Sequence, residues 1–358
     1  MAKPPVPPGR IDEARLKQFM GKYVNDMGGA FMMAMVLIGD ELGLYKAMAD
    51  GQPLSAEALA AQCGCNPRLV REWMNANAAA GYLEHADDGY RLPPEQAMAL
   101  AREDSPVFVA PGTNLLGACF TDIDKILEAF RGNGALPWGE HHRRLFHGTE
   151  KFFRPGYRTY LTTAWLPALD GVVARLEAGA KVADIGCGHG ASTIIMATAY
   201  PSSRFFGFDI HAPSAETARR RAVEAGVADR VTFATASAKA YAEGEFDLIC
   251  FFDCLHDMGD PVGAARHARQ ALRDDGAVML VEPFAGNDLA ENSNPVGRLY
   301  YAASTMICTP NSLSQEVGLG LGAQAGERRL AAVMAEAGYR HFRRATETPF
   351  NLIFEARK

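Results

Sequence analysis

From residue 180 onward, short apolar runs alternate with longer segments whose apolar residues recur every three to four positions. The runs KVADIG (181–186), RFFGFD (204–209), RVTFAT (230–235), FDLICFFD (246–253) and AVMLVEP (277–283) predict strands. Between them, ASTIIMATAYP reads as a helix ended by Pro201, and SAETARRRAVEAG as a helix capped by Ser214 with Gly226 past its end. Asp260 and Pro261 take the N-cap and first-turn positions of a helix ending near Leu272. YRHFRRAT and FNLIFEAR, joined by the short TETP link, predict an antiparallel closing pair. Apolar strands alternating with amphipathic helices make an α/β fold with a doubly wound, mostly parallel sheet.

The first hundred residues follow a helical period instead. A helix is predicted over about 28–49, and Ser55 caps a short helix that puts Leu59 on its apolar face. Ala58 stands where a capping-box acid would. After the GCNP turn, a helix over about 67–80 places Leu69, Val70, Trp73 and Met74 on one side. GYLEHADDGYRL then predicts a hairpin with Asp88 and Gly89 in its turn. Helix, turn, helix and hairpin together predict a winged helix. The division along the chain is a flexible proline-rich arm (1–19), the winged-helix domain (20–100), a helical connector and cap (101–175) and the sheet domain (176–358).

A net charge of −6 argues against a nucleic-acid partner. So does the wing: Arg68 and Arg71 lie on the second helix, but Glu84, Asp87 and Asp88 on the hairpin would meet phosphates and be repelled. Seven cysteines spread along 358 residues form no disulfide framework, so a reducing cytoplasm is expected. The most hydrophobic run, AFMMAMVLI (30–38), is nine residues long, where a bilayer needs roughly 20. No signal-peptide pattern opens the chain, and no membrane association is expected.

VADIGCGHGAST (182–193) carries the chemistry. Gly186-x-Gly188-x-x-Ala191 fits a dinucleotide fingerprint; Asp184-x-Gly186-x-Gly188-x-Gly190 fits a loop for S-adenosylmethionine (SAM). Asp209, at the next strand end, could take ribose hydroxyls in either case. Asp184 discriminates, because a carboxylate before the turn is unwelcome to a pyrophosphate and tolerable to the cationic end of SAM.

VADIGCGHG, FFGFD, FDLICFFDCLHDMGD and the ending AGYRHFRRATETPFNLIFEARK resemble class I SAM-dependent methyltransferases over about residues 176–358. With the winged helix, the whole chain is similar to small-molecule O-methyltransferases and to bacterial methyltransferases once labelled transcriptional regulators. The resemblance implies a Rossmann-like, seven-stranded SAM-binding domain at 176–358. It implies that Asp184, Gly186, Gly188 and Gly190 serve the amino-acid end of SAM and Asp209 the ribose. Ser237 and Ala238 would flank the adenine, and Phe252 and Asp253 would line the wall near the methyl group. His256, in DCLHDMGDP, would be the base that deprotonates the acceptor, although Met258 stands where tryptophan is usual. Glu282 and Glu327 would orient its ring. Asp257 and Asp260 read more simply as helix caps, and Glu327 can equally be an N-terminal helix acid.

No metal site is expected. His141, His142 and His147 lack a carboxylate or cysteine at ligand spacing, and an iron triad begun by His256 and Asp257 lacks a third histidine between His267 and His341. A lid is expected over 284–325, together with 138–165. Tyr300, Tyr301, Met306, Phe153 and Tyr157 would form a wall for a small hydrophobic or aromatic acceptor. In the resembled architecture Met32, Met33 and Met35 would lie at the seam of a homodimer. Two other functions fit the same motifs: a SAM-responsive DNA-binding regulator, and a SAM-binding protein that no longer methylates.

Overall fold

A computed structural model describes residue 9 and residues 11–86, 89–242 and 244–358. Residues 1–8 of the expected arm, and Asp87 and Asp88 of the expected wing turn, lie outside the described residues. The chain forms two compact units that divide between Thr113 and Asn114.

The first unit begins with a 29-residue helix, Glu13–Glu41. It starts well inside the stretch expected to be a flexible arm, because Asp12 caps it by accepting from the Ala14 and Arg15 N–H groups at 3.0 and 3.1 Å. The helix predicted over 28–49 is its second half followed by the short helix Leu44–Ala47, the two parted by Gly43 in a left-handed conformation. Ser55 caps Ala56–Cys63, and Asn66 caps Pro67–Ala79. Val70, Trp73 and Met74 are buried, but Leu69 is 70% exposed and does not share their face. Trp73 Nε1 donates to the Met35 carbonyl, and the Tyr45 hydroxyl donates to Asn77 at 2.6 Å, so the polar edges of this core are satisfied. The hairpin consists of β1 (Glu84–Ala86) and β2 (Gly89–Arg91).

The second unit contains a seven-stranded sheet: β3 (Lys181–Ile185), β4 (Arg204–Asp209), β5 (Val231–Thr235), β6 (Phe246–Phe252), β7 (Leu272–Pro283), β8 (His341–Glu347) and β9 (Asn351–Arg357). Its order is β5-β4-β3-β6-β7-β9-β8, with β9 antiparallel to both neighbours and the rest parallel. Cys250, Met279 and Val281 feed the core on one face; Ile249, Val278 and Leu280 feed the other. This is the alternation of strands covered on both sides. The strand order reverses at β3, which opens a crevice at the carboxyl ends of β3, β4 and β6.

One helix correction bears on that crevice. Ser214 does not cap the helix after β4; Pro213 sets the start at Ala212, His211 is the N-cap residue, and the Ser214 hydroxyl bonds His211 Nδ1 at 2.8 Å. Two helices near the crevice also change register. Arg144–Gly156 runs into a π-helical stretch, Tyr157–Trp165, and Pro295–Ala303 into another, Ser304–Cys308. Pro155 and Pro310 remove backbone donors close to these stretches, and such shifts re-aim the side chains that follow.

Candidate active site

The turn after β3 is built for close backbone approach. Gly186, Gly188 and Gly190 have φ of 72°, 52° and 77°. A Cβ on Gly186 would strike Cys254 Sγ at 2.9 Å, whereas one on Gly188 would meet no atom and project into open space. Asp184 is buried beneath this turn, its Oδ2 accepting from the Ser192 and Thr193 hydroxyls at 2.6 Å each. Burial pushes its carboxyl pKa up to about 6. Asp184 therefore pins the turn to the following helix and does not line the cavity.

Asp209 ends β4 with Oδ2 accepting from Gly188 N–H and Oδ1 from His211 N–H, both at 2.8 Å. The bonds fix the carboxylate across the turn and leave further lone pairs toward the cavity. Ser237 and Ala238 line the cavity after β5, and the Phe146 ring stacks on His211 with centroids 4.6 Å apart. Phe252 and Asp253, at the end of β6, form the opposite wall.

His256 follows on a short 3₁₀ turn and is 4% exposed. Its Nδ1 stands 2.6 Å from Glu282 Oε2, while Glu282 Oε1 accepts from the Leu255 N–H at 3.1 Å. One carboxylate thus fixes the backbone and the ring together. Burial alone would push the imidazole pKa down; the Glu282 carboxylate, with the Cys308 thiol that also hydrogen-bonds the ring, outweighs it and leaves the pKa well above the ordinary histidine value. Glu327 does not reach this pair. It opens the helix Gly326–Glu336, points to β8 and bonds Arg344 at the surface, Nε to Oε2 at 3.0 Å. The buried polar side chain of that segment is Gln324, whose Nε2 donates to the Phe284 carbonyl and whose Oε1 meets no hydrogen-bond partner among the described residues.

The cavity holds about 650 Å³, enough for a nucleoside-sized ligand. Its wall carries six carboxylates (Glu150, Asp209, Asp253, Asp257, Asp260 and Glu316) against a single lysine, Lys239. Lys239 is itself paired with Asp260 and Glu316 at 3.1 and 2.9 Å. Such a wall repels a pyrophosphate and favours a cation, and the fixed carboxylate of Asp209 beside the open Gly188 has room for a nucleoside with an amino-acid tail. Among the described residues, no three His, Cys, Asp or Glu side chains stand together as metal ligands.

Residues 176–336 match the family described as "Methyltransferase domain", and residues 30–102 match the "Rv2258c-like winged HTH domain". The sheet domain is a methyltransferase domain. Domains of this family use SAM, in agreement with the charge of the cavity. The 27-O-demethylrifamycin SV methyltransferase of Amycolatopsis mediterranei is 34% identical over 161 residues, 44% of this chain and 57% of that protein. The matched stretch thus spans little more than half of that relative. The acetylserotonin O-methyltransferase of Mus musculus molossinus is 26% identical over 381 aligned positions, covering 98% of this chain and 91% of that one. The structure of human N-acetylserotonin methyltransferase in complex with SAM has the same fold, with a TM-score of 0.71, 18% identity and 99% of each chain covered.

Several residues of the methyltransferase domain's cavity escaped the sequence reading. Asp257 lines the wall instead of capping a helix, and burial pushes its pKa up to about 7; the cap is Asp260, which accepts from Gly263 N–H at 2.7 Å. Phe153 and Tyr157 line the cavity as expected, but Tyr300, Tyr301 and Met306 do not. Tyr300 spends its hydroxyl on the Phe350 carbonyl, and Met306 packs beside Ile307 and Ile126. The lid contributes Asn311, Ser314, Gln315 and Glu316 instead. These four lie inside the lid expected over 284–325, although none was singled out there.

Proposed function

We propose that the chain transfers a methyl group from SAM to a hydroxyl group of a small hydrophobic or aromatic acceptor, with His256 as general base. The observation that carries this reading is the 2.6 Å contact between buried His256 Nδ1 and Glu282. SAM supplies a methyl group already activated for displacement. What remains for the protein is to position the acceptor and take its proton. Glu282 accepts from Nδ1–H, which fixes the tautomer and leaves Nε2 as the basic nitrogen. The Cys308 thiol also bonds the ring, and neither His256 nor Cys308 lines the cavity, so the acceptor reaches Nε2 only where that thiol gives way. Phe153, Tyr157 and Trp138 offer the apolar wall. The names of the two relatives, a 27-O-demethylrifamycin SV methyltransferase and an acetylserotonin O-methyltransferase, are in keeping with an oxygen as the acceptor atom.

The regulator reading finds less support. Arg68, Arg71 and Arg91, the cations of the winged helix's second helix and hairpin, are each paired with a carboxylate: Glu72, Glu57 and Glu84. A phosphate backbone would have to compete for every one. The seven free cysteines support a reducing cytoplasm. We further propose that the chain is a homodimer built on its first unit.

The test is transfer of labelled methyl from SAM to a panel of phenols. We expect His256→Ala to lower turnover by about 10²–10⁴-fold with SAM affinity kept. Unchanged turnover would reject the base role. Tight SAM binding by the wild-type chain, with no transfer to any phenol, would favour the non-methylating alternative.

A further inference from the structure

Asp253 is the one carboxylate of the cavity wall held in a left-handed backbone conformation, with φ of 51°. Side chains other than glycine rarely adopt it, and asparagine and aspartate do so most readily. The conformation turns its carboxylate away from β6 and into a clamp. Asn351 Nδ2, from the first residue of β9, donates to Oδ1 at 2.7 Å, and the Tyr157 hydroxyl donates to Oδ2 at 3.1 Å. Both donors are neutral, so neither offsets the charge. Glu282 opposes that charge; His256, itself bonded to Glu282, only partly answers it. No lysine or arginine pairs with Asp253 among the described residues, whereas Glu150, on the same wall, has Arg154 and Arg221 at 3.4 and 3.2 Å.

Aromatic faces surround the clamp. The Tyr157 ring lies 5.3 Å from Phe252 and 6.2 Å from Phe153, and all three line the cavity. A carboxylate with both oxygens fixed, aromatic faces beside it and no basic partner suits a diffuse cation that donates no strong hydrogen bonds. An ammonium group would call for open acceptors in its own geometry. A sulfonium does not. Asp253 also lies three residues before His256 in sequence, on the loop that follows β6.

We propose that Asp253 is the counter-charge of the SAM sulfonium, so that the cavity holds the charged methyl donor in preference to the neutral thioether left after transfer. The proposal rests on the SAM reading of the cavity and adds a means of product release: the bound sulfonium draws the proton off Asp253, and once the sulfur is neutral the carboxyl takes a proton back and loses its partner.

Calorimetric titration of wild-type and Asp253→Asn chains with SAM and with S-adenosylhomocysteine tests it. In the variant we expect SAM to bind at least tenfold more weakly, and S-adenosylhomocysteine to stay within twofold of wild type. An equal loss for both ligands would overturn the proposal, since it would place Asp253 at the amino-acid end they share or in a merely structural role. No change for either would also overturn it. Tyr157→Phe, which frees one oxygen but keeps the charge, should preserve most of the preference for SAM; loss of the preference there would shift recognition from the charge to the phenol. If the wild-type chain binds neither ligand, the SAM reading itself fails, and that outcome is distinct from the others.

Discussion

His256 and Glu282 show how one residue's protonation depends on another's charge. Because the carboxylate holds the imidazole pKa well above its ordinary value, the unliganded chain keeps the ring proton to higher pH than an ordinary histidine would. A base must first lose that proton. The kcat/KM profile should therefore rise with pH through an inflection above 6.5, the ordinary histidine value. Glu282→Gln removes the raising charge and leaves burial, which acts in the other direction, so the inflection should move below 6.5 while kcat falls about 10–100-fold. An unmoved inflection would mean that the titrating group is not His256. Asp253 gives a second case, with a different sign of consequence. Burial, reinforced by Glu282, raises its pKa from 3.8 to about 8. Between these values the folded chain keeps a proton that the unfolded chain has released, so this group's contribution to stability falls as pH rises through that window. In the absence of SAM, Asp253→Asn should melt increasingly above wild type as pH is raised from 4 to 8. A gain of a few degrees is expected, about 2–4 °C per kcal/mol for a domain of this size. A constant difference across that range would show that Asp253 does not titrate there.

The segments that close the cavity are held by hydrogen bonds from single side chains. Asn311 accepts from the Trp138 N–H at 3.0 Å and donates to the Asp257 carbonyl at 3.1 Å, while Ser312 donates to the Met258 carbonyl at 2.8 Å. One amide thus joins the cap at 138, the lid at 311 and the loop that carries His256. Asn311→Ala leaves the Trp138 N–H unpaired and the Asp257 carbonyl with only the 3.4 Å bond from Gln315, at a cost of about 1–3 kcal/mol. Much of that should appear as weaker closure over the ligand, measured as about 5–50-fold faster SAM dissociation in stopped-flow; an unchanged rate would mean that closure does not depend on this stitch. Such contacts explain what the sequence could and could not disclose. Strands β3 to β7 and the glycine turn were legible because their apolar runs and turn residues obey local rules. Glu282 was legible from the resemblance, and β7 brings it to His256 by the register of adjacent strands. Glu327 was not, since its direction depends on where β8 places Arg344, a contact 17 residues away in sequence. The wall residues expected from the lid failed similarly. Tyr300 and Tyr301 looked like wall residues by composition, but the π-helical stretch after them decides which side chains turn inward.

On the scale of the whole molecule, one apolar surface is left uncovered by the described residues. Leu16, Phe19, Met20, Tyr23, Met27 and Phe31 recur every three or four residues along the helix Glu13–Glu41, and each is 47–67% exposed. Met33 and Met35, expected at a seam, lean on the first unit's own core. The stripe therefore lies towards the helix's N-terminal half, ahead of the residues first expected there. A continuous exposed apolar stripe of this kind is characteristic of an interaction site. A helix pairing with its own copy about a two-fold axis would cover it on both chains at once, each residue meeting its symmetry mate's neighbour. Light scattering at micromolar concentration should then report twice the 38.7 kDa chain mass. Phe19→Asp combined with Tyr23→Asp places two charges in the stripe without touching the buried Val36 or Gly39 side of the helix, so it should yield a folded monomer with an unchanged circular-dichroism spectrum. Because the cavity residues all come from the second unit, that monomer should keep its SAM affinity. A wild-type chain that scatters as a monomer would rule out the homodimer.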